Sequence, residues 1–324
     1  MKKYCLFAIL TLFFTSCRTD VDLYIENDDT TIVYTILDTN ADTNFFKVSK
    51  SSLHGDYYYD KDDIDVYFAG RFKDENNVDT LKLELVTKME DKRLQSFYFT
   101  TKELREDEEY ELFIIRKADG VKVSAKTRTI CPFVFLKPLP SNKYIDFKSN
   151  VLKNVEWKGT DPSASYKING EYYDVVGYFH YRELMPGAHD TVDRCFEWFL
   201  GSGQTEGLFN TTDNYYTIQY MPSRFFFKLE TDEYLVNNSP HGVKRWLKDF
   251  EFKIFVTGED LYYYNVATGA DNHYPEVPNY TNIENGIGLM SVRTTKSTFR
   301  TIEQICRKRI ANNYPYGFYY DPNR

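Results

Sequence analysis

The chain has 324 residues, enough for about two domains of ordinary size. Its 42% hydrophobic and 27% charged residues exclude a disordered chain, a collagen-like repeat and a multi-span membrane protein. A net charge of −8 argues against nucleic acid as a partner, because phosphate binding needs clustered cations. The 28 Tyr and 25 Phe, against 3 Trp, favour strands, since such side chains fit a pleated, half-buried surface.

Lys2 and Lys3 precede an uncharged run from Tyr4 to Phe14, followed by Thr15, Ser16 and Cys17. Eleven residues rise only about 16 Å as a helix, half of a ~30 Å hydrocarbon core, so the run reads as the apolar region of a signal peptide and not as a span. Phe14-Thr15-Ser16-Cys17 resembles a bacterial lipobox, with Phe14 where most lipoboxes carry Leu. The resemblance implies a lipoprotein signal peptide over residues 1–16 and a diacylglycerol thioether, with palmitate-type acyl chains, on Cys17. Two or three chains at ~0.8 kcal/mol per buried CH₂ give lasting anchorage to a membrane. Arg18 stands where an Asp would signal retention in the inner membrane, so the resemblance implies the outer membrane, on its periplasmic or cell-surface face. Loss of Lys2 and Lys3 with the signal takes the charge from −8 to −10. Residues 17–30, with Asp20, Asp22, Glu26, Asp28 and Asp29, read as an acidic tether.

Residues 31–130 offer seven short strand-like runs: Thr31–Leu37, Phe45–Ser49, Ile64–Gly70, Thr80–Met89, Gln95–Thr100, Tyr110–Lys117 and Val121–Thr129. In the third, Ile64, Val66 and Phe68 alternate with Asp65 and Tyr67, the period of a half-buried strand. Asp38-Thr39-Asn40, Asp74-Glu75-Asn76-Asn77 and Ala118-Asp119-Gly120 punctuate them as turns. That count suits an immunoglobulin-like sandwich. Leu104, six residues before Tyr110, resembles the Leu–Tyr pair that locks the tyrosine corner of fibronectin type III domains.

Residues 131–142 hold Pro132, Pro138 and Pro140, which fix φ and read as a semi-rigid linker. The apolar residues among them predict that it packs on a domain. Residues 143–324 form a larger β-rich domain with a few short helices. Strands are expected at Val151–Lys158, Tyr172–Arg182, Thr191–Leu200, Tyr215–Tyr220 and Lys244–Thr257, the last with Trp246, Phe250, Phe252, Ile254 and Val256 on one face. Helices are expected over Phe225–Leu229, over Glu259–Tyr264, and near the end, where Ile302, Ile305, Cys306 and Ile310 line one face. The fold class is therefore mainly β, a fibronectin type III or immunoglobulin-like sandwich followed by a β-rich domain.

The order of lipobox, acidic tether, Ile32–Asp38, Phe46–Lys50, Tyr110–Ile114, Gly120–Thr129, Leu261–Tyr264 and Tyr280–Gly288 resembles a family of uncharacterised Bacteroidota outer-membrane lipoproteins of the domain-of-unknown-function kind. Its most distinctive stretch is Asn282-Ile283-x-x-Gly286-x-Gly288. Members often accompany TonB-dependent transporters, which implies a transporter or a surface glycan as partner; the family offers no catalytic residues to carry over.

The residues offer little chemistry. His180 and Glu183, three apart on an expected strand, fall on opposite faces and do not converge on a metal. HExxH, GxSxG, Walker and paired Cys/His patterns are missing from the sequence, and Gly286-x-Gly288 reads as a turn or bulge. Catalytic residues, metals and cofactors are accordingly not expected. Cys131, Cys195 and Cys306 cannot all pair; the compartment would permit one disulfide, but buried free thiols are the simpler reading. Aromatics remain as a stacking surface for sugars. Trp157, Trp198 and Trp246 are candidates for it, of which Trp198 and Trp246 are better explained as core, whereas Tyr57, Tyr58 and Tyr59, beside Gly55 and an acidic run, read as an exposed loop and Tyr262–Tyr264 as a second cluster. The function expected is a non-enzymatic outer-membrane lipoprotein that binds a ligand or partner and assists TonB-dependent uptake of glycan or peptide. The alternative is a fimbrial subunit. That needs proteolysis after an Arg between tether and first strand, and Arg18 is the only Arg before Arg71.

Overall fold

The computed structural model describes residues 30–51, 58–90, 93–268 and 280–320. The expected signal peptide, Cys17, the tether up to residue 29, and Tyr57 lie outside the described residues. The chain is mainly β, built as two packed sandwiches.

The first sandwich contains β1 (Thr31–Leu37), β2 (Asn44–Lys50), β3 (Ile64–Gly70), β4 (Asp79–Lys82), β5 (Glu84–Glu90), β6 (Arg93–Thr100), β7 (Glu109–Arg116) and β8 (Lys122–Arg128). One layer runs β1-β2-β6-β5 and the other β4-β3-β7-β8, the strand order of fibronectin type III and immunoglobulin domains. The run expected as one strand over Thr80–Met89 is two. Leu83 is buried and donates its N–H to the Val66 carbonyl at 2.9 Å, and there the chain leaves one layer for the other. Tyr110 is fully buried at the start of β7, stacked 5.2 Å from Phe68. Its hydroxyl donates to the Arg71 carbonyl at 2.7 Å and accepts the Arg105 N–H at 2.8 Å. Leu104, also buried, completes the expected corner and bridges to Phe72.

The second sandwich contains β9 (Phe133–Lys137), β10 (Tyr144–Ile145), β11 (Lys153–Gly159), β12 (Tyr172–Leu184), β13 (Val192–Gln204), α1 (Thr205–Leu208), β14 (Phe209–Asn210), β15 (Tyr215–Tyr220), α2 (Arg224–Glu230), α3 (Glu233–Asn237), β16 (Lys244–Thr257), α4 (Glu259–Thr268), β17 (Ile287–Ile302), α5 (Gln304–Asn313) and β18 (Phe318–Tyr319). Its layers are β13-β12-β16-β17 and β14-β15-β11-β9. The linker thus contributes β9 to the smaller sheet, which is how its apolar residues pack. Between the layers lie Trp157, Tyr173 and Tyr216 toward one end, and Phe147, Phe179, Trp198, Phe225, Phe250 and Phe252 toward the other. Phe225 reaches this core from α2, stacked 3.8 Å from Phe147.

Two registers differ from the sequence reading. Phe179 faces Phe250 while Tyr181 faces Leu247, so β16 carries one extra residue in a bulge. A one-residue insertion inverts which side chains point inward. Upstream of it Arg245 and Leu247 are buried, and Trp246 turns outward to stack on Tyr319 at 6.1 Å. In α5, Cys306 and Ile310 continue the buried line from Ile302, but Ile305 is 54% exposed, lying off that i, i+4 line.

β17 joins the halves. Its first residues, Ile287–Val292, pair in parallel with Ile32–Leu37 of β1, and the stretch from Arg293 to Thr301 pairs antiparallel with β16. The two large layers are therefore one continuous sheet, β13-β12-β16-β17-β1-β2-β6-β5. The boundary placed over residues 131–142 is crossed again here, because residues 283–292 belong with the first sandwich. The Asn282–Gly288 stretch builds this seam. The Asn282 side chain donates to the Met290 carbonyl at 2.7 Å and accepts the Met290 N–H at 2.9 Å, and Ile283 is buried. Gly288 has φ +117°, and a Cβ there would lie 1.9 Å from the Val33 carbonyl oxygen.

Gly288→Ala is expected to destabilise the full chain by more than the about 1–3 kcal/mol that such a φ alone costs, because the new methyl must also push β1 aside. Gly120→Ala, at φ +72° with open space around it, supplies the comparison. Urea denaturation of both variants checks this; equal losses would mean that the seam tolerates a side chain.

Candidate binding face

The large sheet of the second sandwich has one face in the core and one face toward solvent. Strand alternation sends Tyr172, Asp174, Tyr178 and His180 of β12 outward, beside Glu251, Lys253 and Phe255 of β16 and Arg293, Ser297 and Phe299 of β17. Phe299 is 53% exposed, and Phe199 on neighbouring β13 is 58% exposed. These side chains hold one another in place. Lys253 Nζ lies 5.9 Å from the Tyr178 ring centre and 5.4 Å from that of Phe255. The Arg293 guanidinium lies 4.6 Å from the centre of the same Phe255 ring. Such contacts contribute about 0.5–1 kcal/mol each at exposed sites. His180 Nε2 and Glu251 Oε2 are 2.9 Å apart, and the Ser297 hydroxyl donates to Glu251 Oε1 at 2.5 Å. From Tyr172 to Tyr178 the strip runs roughly 20 Å along β12.

At one end α4 rises over the sheet. The Leu261 N–H donates to Ser291 Oγ at 3.0 Å, and the Tyr280 hydroxyl donates to Asp260 Oδ1 at 2.5 Å, which fixes the first turn. Tyr262 then stacks on Tyr172 at 5.5 Å, and Tyr264 leans on Tyr34 of β1 at 5.9 Å. Between helix and sheet is a groove of about 490 Å³, walled by Tyr172 and Tyr262 and floored by Asp174 and Arg293. Burial raises the Asp174 carboxyl above its ordinary value, with the Arg293 charge opposing the shift. The groove thus presents an aromatic wall, a hydrogen-bonding carboxyl and a cation within one depression. It can stack a flat apolar face and bond polar groups beside it.

The structure places the expected site residues differently. Tyr59, read as exposed, is buried: its hydroxyl is 2.8 Å from Thr31 Oγ1, its carbonyl accepts from Ser96 Oγ at 3.2 Å, and Lys50 lies over its ring. Tyr59 is thus held within the first sandwich and is not on an exposed loop as expected. Tyr58 is half-buried. The Tyr262–Tyr264 cluster does reach a groove, through Tyr262. Sequence reasoning missed Tyr172, Tyr178, Phe255, Arg293 and Phe299. The available signal was the even spacing of Tyr172, Asp174, Tyr178 and His180, opposite the apolar line of Tyr173, Val175, Phe179 and Tyr181.

Other clusters of charge have structural partners. Glu183 and Arg245, both buried, form an ion pair at 2.6 Å, so His180 and Glu183 occupy opposite faces as their spacing predicts. Arg245 also donates to Ser239 Oγ and to the Asn238 and Tyr316 carbonyls, while Tyr234 OH donates to Glu183 Oε1 at 2.7 Å. Asp146, Glu303 and Cys306 bring potential ligand atoms within 4.8 Å of one another. There, however, Lys148 Nζ stands 3.2 Å from Glu303 Oε2, and the Cys306 thiol donates to Asp146 Oδ1 at 3.4 Å. Burial pushes that thiol up to about 11. The three described cysteines are free; Cys306 is buried as expected, but Cys195 is exposed on the outward face and Cys131 is half-buried.

Arg245→Met is expected to cost about 3–5 kcal/mol, because it removes the fully buried partner of the Glu183 carboxylate and leaves it only the half-exposed Arg194, 3.3 Å away, and the Tyr234 hydroxyl. The double variant Arg245→Met/Glu183→Leu should recover much of that loss. Thermal and urea melts of the full chain measure both, and a double variant no better than the single would mean that the pair is not the source of the loss.

Neither a protein-family model nor a curated protein matches this chain.

Proposed function

We propose that this chain is a non-enzymatic, lipid-anchored binding protein of an outer membrane, which holds glycan for a TonB-dependent uptake system. The observation that carries the reading is the outward strip: aromatic rings, cations and carboxylates alternate on rigid strands and end in the Tyr172/Tyr262 groove. Sugars present apolar C–H faces beside hydroxyl groups, and tyrosine-rich surfaces match both with little loss of side-chain freedom. Strand backbones keep the rings ordered before the ligand arrives, which lowers the entropic cost of binding.

The anchor rests on the sequence alone, through Lys2-Lys3, the apolar run and Cys17. Among the described residues no helix is long and apolar enough to cross a membrane. With a mature charge of −10 the chain has no electrostatic substitute for acyl chains on an anionic surface.

Cys17→Ala should move the protein from the membrane pellet to the soluble fraction while leaving its melt unchanged. Retention in the pellet after a salt wash would rule out the anchor. For the binding face, Tyr262→Ala and Phe299→Ala alter the two ends of the strip. Each is expected to weaken glycan binding by roughly fivefold, about 1 kcal/mol. An array of glycans and extended peptides probed with the full chain and both variants checks this. Binding that ignores both substitutions, or that selects only peptides, would sink the glycan reading.

A further inference from the structure

Arg300 lies on the inward side of β17, 5% exposed. Its Nη1 donates to Thr298 Oγ1 at 2.7 Å and to the Phe299 carbonyl at 2.5 Å. Its Nη2 donates to the Pro138 and Leu139 carbonyls at 2.8 and 3.0 Å. All four acceptors are neutral, and Nε is buried with no hydrogen-bond partner. No carboxylate among the described residues pairs with this guanidinium. Arg245, buried in the same sandwich, has Glu183 at 2.6 Å. A buried charge without a counter-ion costs several kcal/mol, so the exception at Arg300 calls for a balancing charge.

Arg300 lines a cleft of about 630 Å³ between the linker and the second sandwich. That volume is within the usual range for small-ligand sites. The charges around it can be summed. Lys137 is answered by buried Glu156, 2.8 Å away. Lys153, exposed on the rim, has no ion-pair partner among the described residues. Asp146 supplies one carboxylate, and Lys148, 3.9 Å from it, is offset by Glu303 at 3.2 Å. Arg300 and Lys153 against Asp146 leave a single positive charge, which a monoanion neutralises and a dianionic phosphate would overshoot. Donors free to receive it are the Asn142 amide and the hydroxyl of Tyr220. The remaining rim is apolar and open: Leu139 and Leu152 are each 51% exposed, and Tyr144 is 66% exposed.

We infer that this cleft is a binding site for an organic carboxylate carrying an apolar group. The carboxylate sits over Arg300 between Lys153 and Asn142, and the apolar group covers Leu139, Leu152 and Tyr144. A free amphiphilic acid and the C-terminal residue of a peptide share this chemistry. The site uses none of the side chains of the outward strip and does not rest on the glycan reading.

Isothermal titration of the full chain in mild detergent tests the inference with N-acetyl-L-leucine, its amide and inorganic phosphate. The acid is expected to bind at least about tenfold tighter than either of the others. Lys153→Glu, an exposed change, and Arg300→Met should each weaken it by about tenfold or more. If Arg300→Met fails to fold, judged by its melt, Lys153→Glu decides the matter. Ala-Ala-Leu, with free and amidated C-terminus, separates the sources: tighter binding of the free tripeptide than of N-acetyl-L-leucine identifies peptide ends, and weaker binding identifies a small free acid. The inference is overturned if the amide or phosphate binds as well as the acid, if Lys153→Glu changes nothing, or if no acid binds up to about 10 mM. It is overturned equally if Tyr262→Ala abolishes acid binding, since the acid would then lie on the strip.

Discussion

The parallel pairing of β1 with the first third of β17 is the constraint on which the rest of this structure depends. Two sandwiches connected only by a linker would be free to choose their relative orientation. Here a strand from the start of the described chain and one from near its end share a ladder, and the same β17 continues into the second sandwich beside β16. Parallel neighbours need long connections, and this one spans most of the chain, so its loop-closure entropy is recovered only once both sandwiches have packed. The Asn282 bonds to Met290 and the side-chain-free Gly288 are the local means by which the seam closes.

Continuity of the sheet also sets where binding chemistry can be. The inward face of β17 serves two cores in succession, and the outward face is open between the end of α4 and the β13 edge. Both features follow from one strand's alternation: Arg293 and Phe299 go out to the strip, and Arg300 goes in to the cleft beneath the linker. Charge is treated differently in the two directions. Outward cations lie over aromatic rings in a wet environment, where each contact is small. Inward cations are desolvated, and Arg245 and Arg300 differ in whether the fold itself supplies the anion.

Much of the first sandwich was legible because its strands are short, half-buried and separated by turn residues, and because Tyr110 and Leu104 have few alternatives to a corner. The strand β17 was not legible. Its polar second half, Arg293-Thr-Thr-Lys-Ser-Thr, offers no apolar period, since its outward positions face solvent and its inward ones include Thr294 and Arg300. The threonines were the only cue, as β-branched residues in a polar run. Parity in β16 was lost at a bulge that no residue type announces, which exchanged Trp246 for Arg245 in the core. Of the candidate site, the tyrosines of α4 were visible as a cluster, but their partners on β12, β16 and β17 come from cross-strand register, a non-local property. Tyr59 misled because a loop beside acidic residues gave no sign that Thr31 would bond its hydroxyl.

The position of β1 has a mechanical consequence. It lies between β2, antiparallel to it, and β17, parallel to it, and its N-terminal end is the point at which the preceding segment enters the fold. Tension applied at that point along the strand axis would load the hydrogen bonds on both flanks in shear, so that they yield together. A pull across the strands would instead unzip the ladder one rung at a time. A body tugged at this point while gripping a ligand on its outward face would resist as a clamp does, and force would pass from the entry point to the gripping surface through β17 with no hinge between.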